Sequence, residues 1–385
     1  MKVRLFCAMM LALVLGSCSS NEEPAYKNAQ RTVLIYIVAN NTLGDGSWNN
    51  IRYDQLDIDE MTLAATKENL NGGRLLVFRD DEYGAQTLNE IVDGKMVQLK
   101  QYDGSTSAVT VTRMREVYDD MRSYAPAYNY GLVLWSHASG WLDFGKSPSE
   151  TTRSWGIDGN YQMSVQNLAS ALKGQDFDFI WFDCCYMGNI ETLYELRGAA
   201  DYIVASPTEV KLTGMPYNIT IPYFFADTRR LITAAEKFFD YYDSMSGDDR
   251  SCTITVYNMN YIDDVAQKFK KILARRTTPL SGYTQQIYGV GTPYRSSFYD
   301  FVRYVDSLTD NNDETDVELY SEFISAMSKF IVYNANTPRM WDSLTLQYCY
   351  GVSSYILKKA TDTFALKYNY FELSWYKDIT SAYIY

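Results

Sequence analysis

Residues 32–39 read TVLIYIVA, a short, almost unbroken β-branched run. Such a run is the form taken by a strand covered on both faces, because a parallel sheet buried between helices has no solvent side to demand polar alternation. The pattern returns at 74–78, 131–135 (GLVLW), 177–182 and 202–205. Segments with helical spacing separate these runs. Residues 49–70 carry Ile51, Leu56, Ile58, Met61, Leu63 and Ala65 and stop at Asn71-Gly72-Gly73, a helix end signal. Helices are also predicted at 112–124 and 165–172. Strand and helix in alternation require crossover connections, so the expected fold is an α/β/α sandwich around a mostly parallel sheet. Residues 89–102 alternate around Asp93-Gly94 and read as a hairpin off the main sheet. In the second half, helices at 231–245 and 262–274 flank a strand at 252–257, with helices at 297–308 and 317–334 and a strand at 350–357. No Pro, Gly or Ser linker separates this half, so residues 226–385 are expected to pack on, or extend, the sheet of residues 31–225.

Composition then limits the chemistry. The 385 residues include one histidine, His137. A zinc site with two or three imidazoles is therefore impossible, and any imidazole base must be His137. Thirty-five Lys and Arg stand against 47 Asp and Glu, with no basic block. That balance excludes nucleic-acid binding through phosphate neutralisation. The run Asp310, Asn311, Asn312, Asp313 reads as a solvated turn. The sequence requires no cofactor or metal and gives no indication of calcium.

The N-terminus reads as a targeting signal. Lys2 and Arg4 precede an apolar run over residues 5–15, too short to span a bilayer. Leu15-Gly16-Ser17-Cys18 resembles the bacterial lipoprotein box, in which the cysteine is lipidated after cleavage; the alternative is an ordinary signal peptide with a chance cysteine. This gives a signal over 1–17, a polar tether over 18–30, and an expected place in the bacterial cell envelope as an outer-membrane lipoprotein, periplasmic or surface-exposed. Membrane contact would run only through a lipid on Cys18, and the folded part is expected to be a monomer. The four remaining cysteines, Cys184, Cys185, Cys252 and Cys349, are too few for a disulfide scaffold in a chain of this length.

In open parallel sheets, reactive groups collect beyond the carboxyl ends of the strands. His137 follows the third strand and Cys185 the fourth. Neighbouring strands lie roughly 4.8 Å apart, so a thiol and an imidazole on adjacent ends can meet. The imidazole would raise the thiolate fraction of a cysteine and later protonate a leaving amine. On residue type alone, a hydrogen-bonded structural histidine and a buried inert cysteine are the readings to prefer.

The local sequences Leu134-Trp135-Ser136-His137-Ala138-Ser139-Gly140-Trp141 and Phe182-Asp183-Cys184-Cys185-Tyr186-Met187 resemble the two signature blocks of the clostripain-like cysteine peptidases. Their spacing of 48 residues is similar to that of the related caspase group, where it is about fifty. Trp155-Gly156-Ile157-Asp158 and Ile203-Val204-Ala205-Ser206 extend the resemblance over about residues 31–225. It implies a caspase-haemoglobinase-like α/β/α fold with a C-terminal α/β extension, and a His137/Cys185 dyad acting on protein or peptide substrates. Cys184 then occupies a place where a small alanine usually sits.

The resemblance also implies that Asp183 lines the pocket for a basic residue before the cleaved bond, with Glu209 as a second acid that Lys211 counters; the other reading of Asp183 is a cap for the following helix. It implies an oxyanion hole from the backbone N–H groups of Ala138 and Cys185. The family has glycine where Ala138 stands, so a need for positive φ there would strain the hole. The exposed loop 141–155 carries Lys146 and Arg153, candidate self-cleavage points; a plain surface loop is the alternative. A second class of function is a catalytically weak or inactive lipoprotein that binds peptides or glycans through aromatics such as those in 368–385.

Overall fold

The structure, a computed structural model, describes residues 29–142, 154–226, 230–289, 297–341 and 343–384. The expected signal peptide over 1–17, Cys18 and, apart from residues 29 and 30, the expected tether over 18–30 lie outside the described residues. The first half contains β1 (Ala29–Val38), α1 (Tyr53–Ala64), α2 (Lys67–Leu70), β2 (Arg74–Asp80), β3 (Gln86–Val92), β4 (Lys95–Gln101), α3 (Val111–Tyr124) and β5 (Ala127–Trp135). Next come β6 (Trp155–Asp158), β7 (Tyr161–Met163), α4 (Val165–Leu172), β8 (Phe177–Asp183), α5 (Ile190–Glu195), β9 (Ala200–Ala205) and α6 (Tyr217–Phe224). The remainder contributes α7 (Arg230–Asp243), β10 (Thr253–Asn258), α8 (Ile262–Leu273), β11 (Tyr299–Asp300), α9 (Phe301–Asp306), α10 (Glu314–Phe330), β12 (Ile331–Asn336), β13 (Arg339–Met340), β14 (Leu344–Thr345) and β15 (Ser353–Ser354).

Among the described residues, nine strands form one sheet in the order β12-β10-β9-β8-β5-β1-β2-β3-β4. The central strands β2, β1, β5, β8 and β9 are parallel, and antiparallel strands continue both edges. The run that opened the sequence is β1, where Leu34, Tyr36 and Val38 face one core while Val33, Ile35 and Ile37 face the other. Fully burying one such side chain stabilises by about 1.5–3 kcal/mol. Helices α3, α4, α5, α8 and α10 cover the first face; α1, α6 and α7 cover the second.

Several expectations need correction. The Asp93-Gly94 hairpin does not leave the main sheet: β3 pairs with β2 and continues it. Asp93 and Gly94 both have positive φ (47° and 73°), as a tight hairpin turn requires. The helix expected over 49–70 is split at Ala65, because the Thr66 hydroxyl accepts from the Asn69 N–H and caps a new helix. The helix expected over 317–334 ends at Phe330, where Ile331 starts β12 and pairs with Tyr257 of β10, followed by Tyr333 with Val256. Only Ser353 and Ser354 of the strand expected over 350–357 are extended, and they pair with β11 outside the main sheet. Residues 297–308 likewise start as β11 before α9 begins.

Candidate active site

Strands β5 and β8 are parallel neighbours with Trp135 opposite Asp183. His137 and Cys185 each lie two residues beyond that pair, so they leave the carboxyl edge of the sheet side by side. Both line a cleft of about 900 Å³, together with Asn41, Thr42, Trp48, Val210 and Trp341. The position beyond the strand ends is where an open parallel sheet collects its reactive groups.

His137 is held at several points. Its Nε2 lies 2.9 Å from the Thr42 hydroxyl, and the indole of Trp48 lies 6.1 Å from its ring. Its carbonyl accepts from the Gly156 N–H at 2.9 Å. The bond to Thr42 engages one ring nitrogen and restrains the ring. Thr42 was not singled out in the sequence. The available signal was its place just past the end of β1, on the same edge as His137.

Cys185 is half-buried, and its Sγ accepts a hydrogen bond from the Val210 N–H at 3.3 Å. The thiol also lies 3.8 Å from the Val210 carbonyl, to which it can donate. Cys184 is buried, and burial pushes its thiol well above the ordinary value. Tyr186, directly after the nucleophile candidate, has φ +59°. A left-handed residue here turns the chain sharply off the strand. The turn is fastened by Tyr186 N–H to the Thr208 carbonyl at 2.8 Å and by Asn189 Nδ2 to the Tyr186 carbonyl at 2.5 Å.

Ala138 faces Trp155 across an antiparallel bridge. The bonds Ser139 N–H to Ser154 O and Gly156 N–H to His137 O make it the non-hydrogen-bonded pair, so the Ala138 N–H points away from β6. Ala138 does not adopt positive φ. The demand for glycine falls instead on Gly140, at φ +69°, where a Cβ would come within 2.3 Å of Asn189 Nδ2 and 2.8 Å of the Tyr186 carbonyl.

Asp183 is buried behind the cleft rather than on its wall. Its Oδ2 accepts from the Met215 N–H and the Tyr217 hydroxyl, each at 3.0 Å. Its Oδ1 has no partner among the described residues. Burial pushes its carboxyl up to about 6. Asn189, and not Asp183, caps α5 by accepting from the Thr192 N–H. Asp57, a further buried acid, accepts from the Trp135 indole at 2.7 Å, and burial together with the nearby Asp183 raises its carboxyl well above the usual range. Nothing in the sequence tied Asp57 to Asp183, since α1 alone gives no sign of its neighbours. Glu209 does line the cleft, where its Oε2 accepts from the Trp341 indole at 3.0 Å. Lys211 is drawn to Asp249 Oδ1 at 2.8 Å instead of to Glu209.

Lys146 and Arg153 lie outside the described residues. Tyr368, Tyr370 and Trp375, read as platform candidates, are buried in the core. Among the described residues, no cluster of His, Cys, Asp or Glu is placed to hold a metal ion, and no helix is long and apolar enough to cross a membrane.

Comparison with known proteins adds three findings. The family model for the clostripain family, peptidase C11, matches residues 35–382. The fold is similar to that of an inactive zymogen C11 protease from Parabacteroides distasonis, 29% identical with a TM-score of 0.76, over 92% of this chain and 99% of that one. It is also similar to a secreted C11 cysteine protease from Bacteroides thetaiotaomicron in complex with an irreversible peptide inhibitor, at 25% identity and a TM-score of 0.75, over 92% of this chain and 99% of that one. No match is found among curated proteins.

Proposed function

The chain belongs to the clostripain family of cysteine peptidases, and on that premise we propose that it is an exported, lipid-anchored endopeptidase that cleaves after Arg or Lys with a His137/Cys185 dyad. The observation that carries this reading is the β5–β8 register, which sets His137 and Cys185 side by side at one cleft. His137 takes the thiol proton of Cys185, and the thiolate attacks the carbonyl carbon of the scissile bond. The N–H groups of Ala138 and Cys185 receive the oxyanion; losing one such donor typically costs about 10²–10³ in rate. His137 then gives its proton to the departing amine, leaving an acyl group on Cys185. Water, deprotonated by His137, hydrolyses that thioester and restores the thiol.

Asp183, buried behind the cleft with an Oδ1 that has no partner among the described residues, supports basic specificity through negative charge close to the cleft wall. Glu209 adds negative charge to the cleft wall. The description of one relative as a zymogen supports activation by self-cleavage after Lys146 or Arg153. The lipoprotein-like box at Cys18 supports anchoring in the cell envelope.

Hydrolysis of matched peptides ending in Arg, Lys or a neutral residue tests the reading. Cys185→Ala should abolish cleavage of all of them. Asp183→Asn, which keeps an acceptor for Met215 and Tyr217, should reduce the preference for basic residues on the order of 100-fold. An unchanged preference would overturn the specificity assignment.

A further inference from the structure

The cleft draws its lining from two chemically unlike sources. The loop after β1 supplies Asn40, Asn41 and Thr42, while the second half of the chain supplies Tyr288, Met340, Trp341 and Leu344. Met340 and Leu344 pair across the β13–β14 hairpin and are buried. Trp341 sits in the turn between them and is only half-buried, although it is the largest side chain of the hairpin. Its backbone has φ +50°, a left-handed conformation that a bulky residue keeps only where its surroundings over-determine it.

Three contacts impose that geometry. The Trp341 N–H donates to Ser251 Oγ at 2.7 Å, and its indole Nε1 donates to Glu209 Oε2 at 3.0 Å. Lys211 Nζ, itself held by Asp249, lies 4.6 Å from the ring centroid. Glu209 and Lys211 flank Val210, whose N–H donates to Cys185 Sγ. One strip of chain therefore clamps the indole at residues 209 and 211, touches the nucleophile at 210, and reaches Asp183 through the Met215 N–H. Trp341 packs against the core beside Met340 and Leu344, yet it stays half-buried and lines the cleft.

We propose that Trp341 is the platform of a subsite for a bulky apolar side chain on the acyl side of the cleaved bond. Glu209 is its positioning residue: it holds the indole through Oε2. This inference rests on the endopeptidase reading above and adds a second element of substrate choice to it. A flat indole fixed at both its backbone and its ring nitrogen offers apolar area that needs no ordering when a peptide binds.

The test uses fluorogenic peptides that share a C-terminal arginine and carry Leu, Phe, Gly or Asp at each of the two preceding positions. The wild-type enzyme should favour Leu or Phe over Gly by at least about tenfold in kcat/KM at one of them. Trp341→Ala should collapse that ratio to near unity, and Trp341→Phe should keep most of it. Glu209→Gln, whose amide oxygen still accepts from the indole, should preserve the ratio, while Glu209→Ala should lower it. Because a ratio is read, a general loss of activity or of folded protein cancels. Cleavage retained with an unchanged ratio in Trp341→Ala overturns this inference alone. A wild-type protein that cleaves none of the peptides overturns the endopeptidase reading with it.

Discussion

The alanine after the histidine is the residue at which this chain departs from its family's pattern, and its geometry removes the concern it raises. Ala138 has no positive φ, whereas Gly140 does and is hemmed in by Asn189 and the Tyr186 carbonyl. Ala138→Gly should therefore leave kcat within about threefold, while Gly140→Ala should destabilise by about 2 kcal/mol or more and distort the turn that carries Cys185. Parallel kinetics and urea melts of the two variants check this, and a tenfold gain in Ala138→Gly would show that the alanine does strain the oxyanion hole. Asp183 yields a pH prediction. Its carboxyl ionises through about 6, above the usual range because burial disfavours the charged form. The ratio of kcat/KM for arginine over neutral substrates should therefore rise as pH goes from 5 to 7, and the rise should vanish in Asp183→Asn. Taking a ratio cancels the titration of the dyad. Of the residues at the site, His137, Cys185, Asp183 and Glu209 were legible in the sequence because they stand at strand ends or in matching blocks. Thr42 and Asp57 were not, since their importance comes from which distant side chain they meet.

At the scale of elements, the helix after Cys185 depends on the second half of the chain. Glu191, in the first turn of α5, is fully buried and accepts from the Ser354 hydroxyl at 3.0 Å and the Tyr355 N–H at 2.7 Å. Burial pushes its carboxyl up to about 8. The folded protein thus holds Glu191 protonated near neutrality, while the unfolded chain ionises near the ordinary value. Its contribution to stability is complete below the unfolded value and is lost as pH rises toward 8. Glu191→Gln should flatten this fall and be more stable than wild type by about 2 kcal/mol at pH 8, with little difference at pH 4.5. Chemical denaturation at the two pH values measures it, and an equal effect at both would contradict the assignment. The parallel strands were legible because burial on both faces leaves an unbroken apolar run. The α10 to β12 switch was not: residues 317–334 keep helical spacing throughout, and only the open edge of β10 makes Ile331–Asn336 extend. Tertiary pairing there overrides local preference.

Across the whole molecule, the two halves share one sheet and one pair of cores. β10 and β12 continue the sheet beyond β9, and Trp141, just after the histidine block, packs on Tyr355 and Tyr370 at 5.6 and 4.9 Å. The second half therefore buttresses the loop that carries His137 and supplies one wall of the cleft. A single histidine in 385 residues means that no other imidazole can stand in for it. The central claim, that His137 and Cys185 act as one nucleophilic dyad, is tested most directly by labelling the folded protein with an arginine- or lysine-directed acyloxymethyl ketone and mapping the modified peptide, with and without limited clipping within residues 143–153. The expected result is a single adduct on Cys185 that is lost in both Cys185→Ala and His137→Ala. An adduct on Cys349 or Cys252, or folded protein that stays unlabelled in both states, would contradict it.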